Sequence, residues 1–114
     1  MKKLLKVSII IRTKNEERWI STCLDKIFSQ TYKNFEVILA DNCSKDKTLT
    51  KAKKYPIKHI KIKKFFPGKA INDAIKISKG KIIVCLSAHC IPVDNNWLKR
   101  LVSPLKNKKI AGVY

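Results

Sequence analysis

Short β-branched apolar runs recur along this chain, and polar turns and amphipathic stretches fill the intervals between them. Residues 7–11, Val-Ser-Ile-Ile-Ile, are apolar enough for a strand buried on both faces. Arg12-Thr13-Lys14-Asn15 reads as a polar turn. Trp19, Ile20, Cys23, Leu24, Ile27 and Phe28 then recur at helical spacing and make one apolar stripe. Glu16 and Glu17 fall in the expected first turn of that helix, where the dipole favours negative charge. A second strand is expected over residues 35–40. The polar loop 41–46 follows, with Asp46 as N-cap of a helix over residues 47–54 that Pro56 stops. Residues 57–62 alternate apolar and polar, as an edge strand does. Phe65-Phe66-Pro67-Gly68 reads as a loop. Ala70, Ile71, Ala74, Ile75 and Ser78 mark a third helix closed by Gly80. Residues 82–86 form another buried strand, ended by Ser87 to Pro92. Trp97, Leu98, Leu101, Val102 and Leu105 suit a helix bent or ended by Pro104, and residues 110–113 begin one more strand.

A β-α-β-α-β-α-β order with short connections implies an α/β fold, a mostly parallel sheet with helices on both faces. A chain of 114 residues is expected to form one domain, residues 1–114. Ligands on such sheets bind beyond the carboxyl ends of the strands, where the strand order reverses. Three loops are thereby singled out: residues 12–16, 41–46 and 87–92. No GxGxxG and no GxxxxGK[ST] occurs, so neither a dinucleotide nor a P-loop cradle is supported.

Charge is the other conspicuous feature. Lys and Arg outnumber Asp and Glu by 26 to 8, a net charge of +18, and all but Arg12, Arg18 and Arg100 of the basic residues are lysine. Scattered lysines with few arginines and little aromatic interleaving suit a solvated surface, or attraction to an anionic lipid surface or substrate, better than specific nucleic-acid binding. No apolar run is long enough to span a bilayer. Lys6 interrupts the short apolar start, so no signal peptide is expected, and the chain is expected to be cytoplasmic, peripheral at the inner face of the membrane. Cys23, Cys43, Cys85 and Cys90 include no C-x-x-C pair and are expected to be buried or half-buried thiols.

Several stretches resemble one known family in the same order. Residues 7–17, Val-Ser-Ile-Ile-Ile-Arg-Thr-Lys-Asn-Glu-Glu, are similar to the strand and Pro-Thr-x-Asn-x-Glu opening of family-2 glycosyltransferases. Ser29-Gln30-Thr31-Tyr32 and the Glu36-Val37-Ile38 that follows resemble its S-Q-T-Y-x-x-x-E-I-I segment. Residues 39–48 resemble V-D-D-G-S-T-D-x-T, and Gly68 to Asn72 and Ser78 to Ile83 echo G-x-A-x-A-R-N and A-x-G-x-x-I. The resemblance implies a Rossmann-like GT-A nucleotide-sugar-binding fold, truncated at its C-terminal side. It implies a donor, UDP-linked by expectation, and a glycan or lipid-linked acceptor.

On the same resemblance, Asp41 accepts a hydrogen bond from the nucleotide base, and Thr13, Asn15, Glu16 and Asn42 line base and ribose. A loop carboxylate making local turn bonds is the alternative for Asp41, and a favourable helix-start charge the alternative for Glu16. Ser44 and Asp46 are expected as turn and cap residues. The family commonly carries Asp-x-Asp, holding Mg²⁺ or Mn²⁺, where this chain has Ser87-Ala88-His89. Hard cations want carboxylate oxygens. Three roles stay open for His89: metal ligand, donor to phosphate, or turn residue. Ser87 keeps the nucleotide-side position, and Lys69 or Lys14 would bring positive charge to the diphosphate, making a metal less necessary. Ile71 replaces a usual Arg, and Arg12 replaces the usual Pro and leaves open a compensating cation. The family's catalytic base follows well after this motif. The chain is therefore expected to be the front portion of a longer enzyme, with no catalytic base of its own; a truncated or catalytically inactive nucleotide-binding module is the alternative.

Overall fold

The computed structural model of the chain describes residues 5–62 and 67–106. Four parallel strands, β1 (Val7–Thr13), β2 (Phe35–Asp41), β3 (Lys58–Lys61) and β4 (Ile82–Ser87), form one sheet in the order β3-β2-β1-β4. The helices are α1 (Ile20–Phe28), α2 (Thr48–Ala52), α3 (Pro67–Ile77) and α4 (Trp97–Val102), and Ser103–Lys106 continues α4 as a 3₁₀ turn. The chain steps outward from β1 through β2 to β3, then crosses back to place β4 on the far side of β1. Right-handed crossovers put the helices of those opposite steps on opposite faces.

Strand alternation divides the core accordingly. Val7, Ile9 and Ile11 of β1, with Val37 and Leu39 of β2, pack against Ile20, Cys23, Leu24 and Ile27 of α1, and Leu98 and Val102 of α4 join them. Ile10, Ile38 and Ala40 point the other way, toward Ile62 and Ala74 of α3. Ile9, Ile10, Ile11, Ile38 and Leu39 are wholly buried, and each such side chain contributes about 1.5–3 kcal/mol. The central pair β1 and β2 is thus apolar on both sides, whereas β3 shows the partly exposed alternation expected of an edge.

Several boundaries differ from the sequence reading. Arg12 and Thr13 belong to β1, not to a turn, because the ladder continues to the pairs Thr13 with Asp41 and Arg12 with Ser87. Glu16 and Glu17 precede α1 and are not in its first turn; the Glu16 carbonyl accepts the N–H groups of Trp19 and Ile20. Helix α2 is shorter than residues 47–54, because Tyr55 donates back to Ala52 and tightens the end ahead of Pro56. Pro67 and Gly68 open α3, not a loop, and a proline in the first turn lacks only an N–H that has no helical partner. The loop reading at Phe65 and Phe66 and the strand at 110–113 lie outside the described residues.

Gly80 does not close α3 through a left-handed turn, since among the described residues no glycine has positive φ. A Cβ there would sit 2.5 Å from the Ser8 nitrogen and Oγ. Close approach requires the glycine: its N–H donates to Ser8 Oγ at 2.8 Å, and Ser8 Oγ donates to Glu36 Oε2 at 2.5 Å. Glu36 also accepts the Lys79 N–H and pairs with Lys58 at 2.9 Å. Burial alone would raise the Glu36 carboxyl, but these bonds overcome it and hold its pKa down to about 2. This clasp fixes the end of the sheet remote from the three singled-out loops.

Candidate functional site

At the opposite end, β1 and β2 finish side by side, and their last residues meet. Thr13 donates to Asp41 Oδ1 at 2.6 Å, and Asp41 is completely buried. Ser44 supplies two further donors, its hydroxyl to Oδ1 at 2.5 Å and its N–H to Oδ2 at 2.9 Å. The local turn bonds foreseen as one alternative for Asp41 are therefore made. A carboxylate has about four lone-pair positions, and three are used here, leaving one on Oδ2. Asn42 is buried beside it and donates its N–H to the Thr13 carbonyl at 2.9 Å.

The two loops that leave these strands are stitched to each other. Asn15 adopts the left-handed conformation at φ 52°, donates its N–H to Ser44 Oγ at 2.9 Å and accepts the Lys45 N–H at 2.8 Å. Glu16 and Glu17 donate their N–H groups to Thr48 Oγ1 and Asp46 Oδ2, and Lys47 donates to Glu17 Oε2. Asp46 also accepts from both the N–H and the hydroxyl of Thr48. Its carboxyl lies below the usual range: burial alone would raise it, and the Thr48 and Glu17 donors outweigh that. Ser44 is a turn residue, as expected; Asp46 stands one residue before the N-cap, which is Lys47, and it accepts from Thr48 from there. Thr48, wholly buried, was quoted only as the last residue of a motif and given no role of its own.

The third loop joins through His89, whose Nδ1 lies 3.3 Å from Glu16 Oε1. That contact replaces the helix-start role for Glu16. Ser87 ends β4 opposite Arg12, and its carbonyl accepts the Cys90 N–H in a tight turn that buries Ala88. Lys69 is engaged elsewhere, pairing with Asp73 along α3 at 2.9 Å. Thr13, Asn15, Glu16, Asp41 and Asn42 are therefore contiguous, Ser87 and His89 adjoin them, and no contact connects Lys69 to the group.

The segment beyond this loop is anchored by a residue quoted only as part of a motif. Gln30, wholly buried, donates to the carbonyls of Lys26 and Asp94 and accepts the Leu98 N–H at 3.0 Å. Thr31 adds bonds to Asn95 and Asn96. Of the cysteines only Cys23 is buried; the other three are exposed, against expectation. Burial, with the Cys90 thiol and Glu16 nearby, pushes the Cys23 thiol up to about 12.

The donor chemistry of the β4 tip can be compared with the needs of a hard divalent cation. Ser87 offers a hydroxyl and His89 an imidazole, and the carboxylate that reaches His89 is that of Glu16. Among the described residues no three His, Cys, Asp or Glu side chains converge as a metal-holding group. Mg²⁺ and Mn²⁺ prefer several oxygen ligands with carboxylates among them. The residues here do not fit a cation held by the protein.

Comparison with known proteins gives the family and the fold. The chain matches glycosyl transferase family 2 over residues 8–114. It is 36% identical over 121 residues to the Methanococcus voltae dolichyl N-acetyl-alpha-D-glucosaminyl phosphate 3-beta-D-2,3-diacetamido-2,3-dideoxy-beta-D-glucuronosyltransferase, covering 94% of this chain and 37% of that protein. The fold superposes on Staphylococcus aureus TarS 1–349 solved with UDP-GlcNAc, at a TM-score of 0.78 and 27% identity, over 90% of this chain and 31% of TarS. It also superposes on a mannosyltransferase from Pyrobaculum calidifontis solved with GDP-Man and Mn²⁺, at a TM-score of 0.86 and 25% identity, over 93% of this chain and 34% of that one. The chain thus spans about a third of the length of these proteins. With the family match over nearly the whole chain and a sheet that superposes on GT-A glycosyltransferases, the chain belongs to glycosyl transferase family 2.

Proposed function

We propose that this chain is the nucleotide-sugar-binding part of a glycosyltransferase, which passes a sugar from a nucleoside-diphosphate donor to a glycan or lipid-linked acceptor. The observation that carries the reading is the Thr13–Asp41 contact at 2.6 Å, at the carboxyl ends of adjacent parallel strands beside the reversal in strand order. The TarS complex with UDP-GlcNAc supports a UDP-linked donor. Thr13, Asn15, Glu16, Asp41, Asn42 and Ser87 line the nucleotide in this proposal.

Each residue has a definite task. Asp41 fixes the Thr13 hydroxyl and the Ser44 turn, and its remaining Oδ2 position accepts an N–H from the base edge when the 42–44 turn yields. That turn has a built-in reason to yield, because Cys43 is held at φ 50°. Asn15 and Glu16 set the ribose side, and the His89 imidazole, turned away from Glu16, donates toward phosphate. Departure of the diphosphate accompanies attack by the acceptor hydroxyl at the anomeric carbon. The group that removes the hydroxyl proton lies outside these residues. Because Ser87 and His89 do not make a carboxylate site, donor binding is expected to be insensitive to Mn²⁺.

Calorimetric titration with UDP and UDP-sugars tests the proposal: micromolar to millimolar binding that Asp41→Ala abolishes supports it, and no binding of any nucleoside diphosphate refutes it. The net charge of +18 further supports cytoplasmic placement at the inner face of a membrane, lysines against anionic headgroups. Co-sedimentation with phosphatidylglycerol vesicles but not phosphatidylcholine vesicles, lost at high salt, is the expected result. Equal pelleting with neither would retire the membrane contact.

A further inference from the structure

We propose that Arg12 and Ser87 form an anion subsite that takes a diphosphate directly, without a protein-held divalent cation. Arg12 ends the run of β1 side chains that faces α3, after Ser8 and Ile10, and it pairs in register with Ser87 of β4. These two strands flank the point where the strand order reverses, the position at which open parallel sheets bind ligands.

Arg12 is half-buried as a residue, and among the described residues its guanidinium has neither an ion-pair partner nor a hydrogen-bond acceptor. Every acidic side chain of the chain is engaged by another group. Asp41 serves Thr13 and Ser44, Asp46 serves Thr48 and Glu17, and Glu36 serves Ser8 and Lys58. Glu16 faces His89, Glu17 faces the Lys47 N–H, Asp25 faces Tyr55, Asp73 faces Lys69 and Asp94 faces Arg100. Those eight are all the acidic residues of the chain. A partly desolvated cation lacking a counter-charge is unfavourable alone and is stabilised by any anion that reaches it.

The β4 tip has the matching sign. A pair of aspartates there would repel phosphate until a metal screened them; Ser87 and His89 present a neutral donor and an imidazole instead. Cys85, in register with Ile10, shares the Arg12 face one step below Ser87, and the Arg12 charge opposes the rise that partial burial gives its thiol. The planar fork of arginine meets two phosphate oxygens at once, which an ammonium does not. The inference deepens the proposed function, and depends on it only for what carries the diphosphate.

Titration of the full chain in EDTA with inorganic pyrophosphate, UDP and uridine tests it, using wild type, Arg12→Gln and Arg12→Lys, with urea midpoints to verify folding. Arg12→Gln should weaken pyrophosphate and UDP by roughly ten- to a hundredfold and leave uridine unchanged. Arg12→Lys should fall between, keeping charge but losing the fork. Pyrophosphate binding that appears only with Mn²⁺, or that Arg12→Gln leaves intact, would overturn the subsite. Arg12-dependent pyrophosphate binding with no binding of UDP would support the subsite while refuting the nucleotide reading.

Discussion

Replacing Asp41 with asparagine changes one atom in the most enclosed part of the site, and the structure sets the size of the effect. The carboxylate accepts two hydroxyl donors on Oδ1 and one backbone N–H on Oδ2. An amide whose NH₂ replaces Oδ2 would set two donors face to face at Ser44. The less costly orientation puts the NH₂ at Oδ1, where the Thr13 and Ser44 hydroxyls can rotate and accept, and keeps the N–H bond to the remaining oxygen. All three bonds then survive as neutral ones. A bond to a charged acceptor is worth about 1 kcal/mol more than its neutral counterpart, so about 3 kcal/mol is lost. Relief of the burial cost of a full charge returns part of that, and the expected loss is about 1–3 kcal/mol. Urea unfolding should show the midpoint lowered with an unchanged slope. Asp41→Asn should also weaken UDP, because the one free acceptor position then belongs to a neutral amide oxygen and no longer to a carboxylate. A variant as stable as the parent, or more so, would refute the view that Asp41 organises the turn.

Three other outcomes follow from the same geometry. Gly80→Ala places a Cβ within 2.5 Å of backbone and should cost about 1–3 kcal/mol, at the upper end because the atoms it meets cannot swing aside, read as a fall in urea midpoint. Glu36 has its pKa lowered from 4.5 to about 2 on folding, so its contribution is complete above pH 4.5 and is lost as pH falls through about 2. The stability gap between wild type and Glu36→Gln, at most about 3 kcal/mol, should therefore stay constant at neutral pH and shrink only in acid. Gln30→Ala strips a buried acceptor from the Leu98 N–H and should cost about 2–4 kcal/mol, with Leu98 amide exchange accelerated well beyond that of the β1 amides.

The strands and the class of fold were readable because β1, β2 and β4 are short β-branched runs with sharp polar ends, and hydrophobic period fixes such elements well. Their carboxyl ends were not. Arg12, Thr13 and Asp41 look like turn residues by composition, and only ladder pairing with a neighbour 28 positions away makes them strand. Pro67 and Gly68 misled for the opposite reason, since residues that break helix interiors also suit a helix start. Glu36 and Gln30 were unreadable as anchors because a single polar side chain in a sequence does not disclose three partners from distant segments. For the candidate site, Asp41, Thr13, Asn15 and Glu16 were singled out through loop position and resemblance, and the structure brings them together. The stitching by Thr48 and the isolation of Arg12 required the arrangement of every carboxylate in space.

Nuclear magnetic resonance titration of the isotopically labelled chain with UDP addresses the central relation most directly. Amide shifts concentrated at Thr13, Asn15, Asn42, Ser44 and Ser87, and missing at Ser8, Lys79 and Gly80 on the far end of the sheet, are the predicted result. Saturable shifts centred on α3 or on the Glu36 clasp, with the β1 and β2 tips silent, would contradict it.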